Sequence, residues 1–208
     1  MSTDQIAPTL QRPVSAQLKE LLLQSLEHEK GGVLVYQNAL KCARNTDLQE
    51  EWQKYLEQTE NHVAILTEVC DALELDVNET TPGCKVVRHI GQALVEAMRM
   101  AASGNDPAAA ELVACECVVL AETKDHFDWE MIGECAKTSA SPEEREILQM
   151  AADQVEDEEE EHLYHTKGWC RELWLKSLGM KAMLPPPEET KDVKTAAAAA
   201  KVEKSRTK

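Results

Sequence analysis

Glu159 and His162 stand three apart in the run Asp157-Glu158-Glu159-Glu160-Glu161-His162. On a helix, residues at that spacing share a face, so one carboxylate and one imidazole can reach the same metal ion. Four further residues of these two types fall on or beside helical apolar stripes: Glu29, His62, Glu122 and His126. A buried carboxylate or imidazole without a partner is expensive. Six such groups on four stripes therefore call for mutual ion pairs or for a cation. Imidazole selects transition metals over calcium and magnesium, and carboxylate draws the choice toward Fe or Mn. Six candidate ligands suit two ions bridged by Glu. Glu158 and His165 are reserve ligands if the last helix is rotated.

The elements that must carry these residues read as five helices. The first spans about Val14 to Arg44, with the stripe Leu18, Leu22, Leu26, Val33, Tyr36 and Leu40, and Glu29 in its middle. Gly31-Gly32 weakens this helix and implies the close approach of a neighbour. Asn45-Thr46-Asp47 is a capped turn into a second helix, Leu48 to Leu75, with His62 at the centre of its stripe. A third helix, Lys85 to Ala102, has the stripe Val87, Ile90, Leu94, Ala97 and Ala101. It bears no charge there and reads as packing or crossover. The fourth, Ala108 to Lys137, has the stripe Cys115, Val119, Glu122, His126, Trp129 and Gly133. The fifth, Pro142 to Leu178, follows a Ser-Pro-Glu-Glu capping signal and carries Glu158, Glu159, His162 and His165.

Helices one and two, and helices four and five, pair as antiparallel hairpins. Glu29 lies sixteen residues before Asn45 and His62 seventeen after it. At a rise of about 1.5 Å per residue the two side chains reach nearly one height. Glu122, His126, Glu159 and His162 similarly bracket one level about the second turn at Ala140.

With that layout the chain resembles the ferritin-like superfamily, the carboxylate-bridged dimetal four-helix bundles. The family pattern places a Glu on one helix and Glu-x-x-His on the next, then repeats both in the second hairpin. The resemblance runs from about residue 14 to 178. Glu29, with Tyr36 seven residues on, matches the first-helix Glu, and Glu159-x-x-His162 matches the last motif. Two positions depart: the second helix reads Thr59-x-x-His62, and the fourth adds His126 to Glu122. The resemblance implies an all-α, ferritin-like four-helix bundle of two antiparallel hairpins with one crossover helix. Its metal ligands would be Glu29, His62, Glu122, His126, Glu159 and His162, three Glu and three His against the usual four and two. The function it implies is an Fe or Mn oxidoreductase acting on dioxygen, peroxide or a small substrate. A metal-binding or storage bundle without turnover and a metal-free helical interaction module are the alternatives. A hemerythrin-like carrier is disfavoured, since its order of His-x-x-x-Glu together with His-x-x-x-His is not found: no two histidines stand four apart.

Composition sets the outer bounds. Aromatic content of 4% with abundant Ala, Leu and Glu favours helices over sheet. A net charge of -16 sets nucleic acid and anionic membrane aside as partners. Seven cysteines, an odd number and none in a Cys-x-x-Cys pair, read as reduced thiols in a cytoplasmic protein. No apolar run is long enough to span a bilayer. The expected organisation is a polar arm over residues 1–13, a bundle over 14–184 and a Pro/Ala/Lys-rich disordered tail over 185–208. Whether the bundle forms a homo-oligomer is left open by the sequence.

Overall fold

The computed structural model describes residues 13–183 and residue 187, so the expectations for the arm and the tail lie almost wholly outside the described residues. Five α-helices account for the regular structure, with no strand among the described residues. They are α1 (Ala16–Cys42), α2 (Thr46–Ala72), α3 (Pro82–Ala102), α4 (Pro107–Thr138) and α5 (Pro142–Ser177). Each begins on a side chain that takes up a free backbone N–H: Ser15, Asn45, Thr81, Asp106 and Ser141. Proline occupies the first helical turn of α3, α4 and α5, where its missing N–H costs nothing.

Four helices close a ring of neighbours: α1 packs on α2, α2 on α5, α5 on α4, and α4 on α1. The α1–α2 turn is tied to the start of α4 by Glu111, whose carboxylate accepts the Arg44 and Asn45 N–H groups at 2.6 and 2.8 Å. The start of α4 thus lies beside the end of α1, and the two run antiparallel. Helix α3 lies outside the ring against α1 and α4, running parallel to α1 and carrying the chain from one end of the bundle to the other.

The apolar interior comes in two blocks. One is built from Val35, Tyr36, Leu48, Trp52, Cys115 and Trp169 with their neighbours. The other gathers Leu22, Leu26, Leu66, Ile132, Leu148 and Val155. Each fully buried aliphatic or aromatic side chain contributes about 1.5–3 kcal/mol. Between the blocks, all four ring helices turn polar at the same height, and this layer holds the candidate site.

Three readings are corrected. Helix α3 starts at Pro82 rather than Lys85, capped by Thr81. Its buried face is Cys84, Val87, Val95 and Met98, and Ile90 is exposed. Gly91 lies on that face because α3 crosses α1 there, where a Cβ on Gly91 would sit 3.8 Å from the Gly31 Cα. A glycine adds nothing to an apolar stripe, so periodicity rotated the face by one position. Helix α2 ends at Ala72, not Leu75: Glu74 takes φ 56° and Leu75 N–H reaches back to the Cys70 carbonyl. Glu is not a residue that signals such a stop.

The two central glycines differ in role. A Cβ on Gly32 would meet Thr59 Cγ2 at 3.2 Å, whereas one on Gly31 would meet nothing within 4 Å. Gly31→Ala should stabilise the fold by about 0.5–1 kcal/mol through helix propensity. Gly32→Ala should destabilise it, because overpacking of about 1–3 kcal/mol outweighs that gain. Urea midpoints of the two variants moving in opposite directions are the expected outcome.

Candidate metal centre

The polar layer brings together five of the six residues predicted as ligands. Glu29 on α1, His62 on α2, Glu122 on α4, and Glu159 and His162 on α5 are each no more than 2% exposed. They form two trios. Glu29, His62 and Glu159 offer one ligand atom each within 4.8 Å of one another, and so do Glu122, Glu159 and His162. Glu159 belongs to both. Its Oε1 lies 3.1 Å from His62 Nδ1 and 3.5 Å from His162 Nδ1. Glu29 Oε1 stands 3.5 Å from His62 Nδ1, and Glu122 Oε2 stands 3.5 Å from His162 Nδ1. Ligand bonds to such metals are about 2 Å long, so donor atoms spaced in this way can surround one ion.

Both imidazoles are oriented from behind. His62 Nε2 lies 2.9 Å from Glu158 Oε2, and His162 Nε2 lies 3.0 Å from Gln58 Oε1. Both partners are acceptors, so each Nε2 carries the proton and donates it outward. Nδ1 therefore points into the layer, and on loss of its proton its lone pair is aimed there, the orientation metal-binding histidines use. Trp129 Nε1–H donates to Glu29 Oε1 at 2.7 Å and fixes that carboxylate. Among the described residues, Glu29 Oε2 and Glu159 Oε2 have no partner, while Glu122 Oε2, Glu159 Oε1 and Nδ1 of His62 and His162 meet only the other inward charges, as ion pairs of 3.1–3.5 Å rather than well-formed hydrogen bonds. Buried polar atoms are rarely left so. Here they are the atoms that a cation would satisfy.

The electrostatics are those of a proton-loaded ligand set. Burial works against the His62 imidazolium, but contact with Glu158, Glu159 and Glu29 outweighs it and pushes the pKa up to about 12. Burial likewise opposes charge on His162, and Glu122 and Glu159 raise it to about 9. Burial also opposes ionisation of Glu159, yet the two imidazoles bring it down to about 2. Glu29 is raised, chiefly by burial.

The sixth predicted ligand, His126, is placed elsewhere. It is half-buried at the edge of α4, its ring 6.5 Å from Tyr164, and belongs to neither trio. The inward position one residue earlier is taken by Asp125, 3% exposed, with Oδ1 unpartnered. Burial first, then the Glu29, Glu159 and Glu122 carboxylates, hold Asp125 well above the usual carboxylate range. Residues i+3 and i+4 from Glu122 straddle one face, and α4 is covered by three helices, so its buried arc is wide. Thr59, where the family pattern has Glu, is no ligand: it packs on Gly32 and donates its hydroxyl to the Tyr55 carbonyl at 2.8 Å. Of the reserve residues, Glu158 backs His62.

His165 belongs to a separate network beside the layer. Its Nδ1 lies 2.6 Å from both the Tyr55 hydroxyl and Glu51 Oε1. Tyr55 donates to Glu51 Oε1 at 2.9 Å, and Trp169 Nε1–H donates to Glu51 Oε2. The Tyr55 ring in turn packs on His162, centroids 4.3 Å apart. Glu51 is the residue that sequence reasoning missed here; two aromatic residues with N–H or O–H groups buried near it were the available signal.

All seven cysteines are free thiols. Among the described residues no helix is long and apolar enough to cross a membrane. Compared with protein-family models, curated proteins and solved structures, the chain matches none.

Proposed function

We propose that this chain is a ferritin-like dimetal protein that holds two Fe or Mn ions through Glu29, His62, Glu122, Glu159 and His162 and acts as an oxidoreductase on dioxygen, peroxide or a small substrate. The observation that carries this reading is Glu159: one buried carboxylate whose Oε1 faces two imidazole Nδ1 atoms and whose Oε2 has no partner among the described residues. Mutual ion pairing accounts for Oε1 and the two Nδ1 atoms but leaves Glu159 Oε2 and Glu29 Oε2 without a partner. A mixed Glu/His set fits Fe or Mn better than calcium or magnesium, and Asp125 adds a further carboxylate to the layer. The bound ions would supply redox electrons and Lewis acidity. The protein's own part is positional. Glu158 and Gln58 hold the imidazoles, Trp129 holds Glu29, and the two apolar blocks exclude water from either side. Tyr36, fully buried beside Glu122, has its phenol pushed well above its usual range by burial and that carboxylate, so it stays a proton donor.

Oxygen consumption by ferrous-loaded protein tests the enzyme reading. Uptake with an accompanying absorbance change supports turnover. Tight metal retention without oxygen uptake would support the storage alternative.

Proton competition gives a signed prediction. At pH 7 His62 and His162, raised to about 12 and about 9, are protonated at Nδ1. A metal ion needs those lone pairs, so loading must release protons. Affinity should rise from pH 6 toward pH 9 by about tenfold per pH unit for each proton displaced. Calorimetry in buffers of different ionisation enthalpy counts the protons released. An affinity flat across this range would show that imidazole is not a ligand.

A further inference from the structure

A cleft of about 200 Å³ opens between α4 and α5 and reaches the layer. At its inner end are Glu159 and Trp129, 1% and 4% exposed. Along its walls and rim stand Glu130, Glu134, Glu156 and Glu160, with Lys137 the one fixed positive charge, itself paired to Glu134 at 2.7 Å. His126, which has no place in either trio, lines the same cleft. Gly133 and Ala152 face each other across it: a Cβ built on Gly133 would come no closer than 3.9 Å to the Ala152 Cβ. One side chain is absent there and the other small, and a single methyl on Gly133 would already be in van der Waals contact with Ala152.

From these features we infer that the α4–α5 cleft is the path by which divalent metal ions enter the site, with the rim carboxylates gathering the ion and His126 holding it on the way to Glu159. This inference rests on the two-ion reading above. Acidic residues alone would be an ordinary solvated face. What sets this cleft apart is that it leads to a buried carboxylate, Glu159, whose Oε2 has no partner among the described residues. Its size also fits: the cleft is large enough for several water molecules and so for a hydrated ion. Pockets for larger organic ligands run from about 300 Å³ upward. A cleft lined by one sign of charge focuses the field and raises the arrival rate of a counter-ion about 10- to 1,000-fold. His126 then offers a nitrogen donor where the ion begins to shed water.

The test separates rate from capacity. Apo protein is mixed with ferrous ion anaerobically, and unbound ion is trapped at timed intervals by a colorimetric chelator. Glu130→Gln with Glu156→Gln should slow loading at least about tenfold at low salt and flatten its salt dependence, with the final stoichiometry unchanged. Gly133→Leu, whose side chain must project into the cleft because a methyl there already touches Ala152, should slow both loading and release. His126→Ala should slow loading without lowering the final stoichiometry. Glu57→Gln with Glu60→Gln, on the exposed face of α2, is the charge control and should load like wild type. Wild-type loading rates in both the charge-neutralised and the Gly133→Leu proteins would overturn the path, and so would an equal slowing in the control. A wild-type protein that binds no ferrous ion would instead defeat the two-ion reading itself.

Discussion

Glu159→Ala is expected to abolish tight metal binding at both positions, because this carboxylate is the only ligand common to the two trios. Loss of residues that merely orient a ligand costs about 10- to 100-fold in affinity. Removing a shared ligand should exceed that at each position, taking the stoichiometry from two ions per chain to none at micromolar metal. Glu29→Ala and Glu122→Ala each touch one trio, so each should leave one ion. The helices should persist in all three variants. Without Glu159 the two imidazoles lose their common counter-charge and can become neutral, so no isolated buried charge is created. Element analysis beside far-UV circular dichroism reads both outcomes. Equal loss of metal from all three variants would mean that the ligands act as one mononuclear set.

Trp169→Ala should carry the largest cost to stability. The indole is 2% exposed, packs in the block with Trp52 and Tyr55, and donates to Glu51, which also accepts from Tyr55 and pairs with His165. Truncation opens a cavity and orphans a carboxylate oxygen in one step. Large-to-small aromatic changes in cores cost about 3–5 kcal/mol. For a chain of this length that lowers Tm by about 6–20 °C. Trp174, 41% exposed and bonded to Glu116 at 3.0 Å, is the control, and its change to Ala should move Tm by no more than a few degrees. A Trp169→Ala protein melting like wild type would show that the Glu51 network adds nothing to the fold.

Helix number and pairing were legible because capping residues and apolar stripes are local signals. Ser141-Pro142 and Asp106-Pro107 start helices where the capping rules put them, and counting from Asn45 brings Glu29 and His62 to one height. Position along an axis is set by a fixed rise per residue and survives small errors. Rotation about the axis does not: one residue is a turn of 100°. That is why the apolar stripe selects His126 although Asp125 faces the layer, and why it takes in Ile90 but not Val95 and Met98. The rotational errors fall on α3 and α4, where glycine contacts or three neighbouring helices decide the buried arc. The outward bonds of the imidazoles were beyond the sequence for another reason. Gln58 and Glu158 come from helices other than those of the histidines they orient, and no local spacing encodes that contact.

The most direct measurement is the metal content of the purified chain after anaerobic reconstitution with ferrous or manganous ion and removal of excess. About two ions per chain are expected, lost in Glu159→Ala and reduced to about one in Glu29→Ala. Neither metal bound by a protein with its helical circular dichroism intact would contradict this, and would identify the Glu29–His62–Glu159–His162–Glu122 layer as a self-neutralised ion-pair cluster.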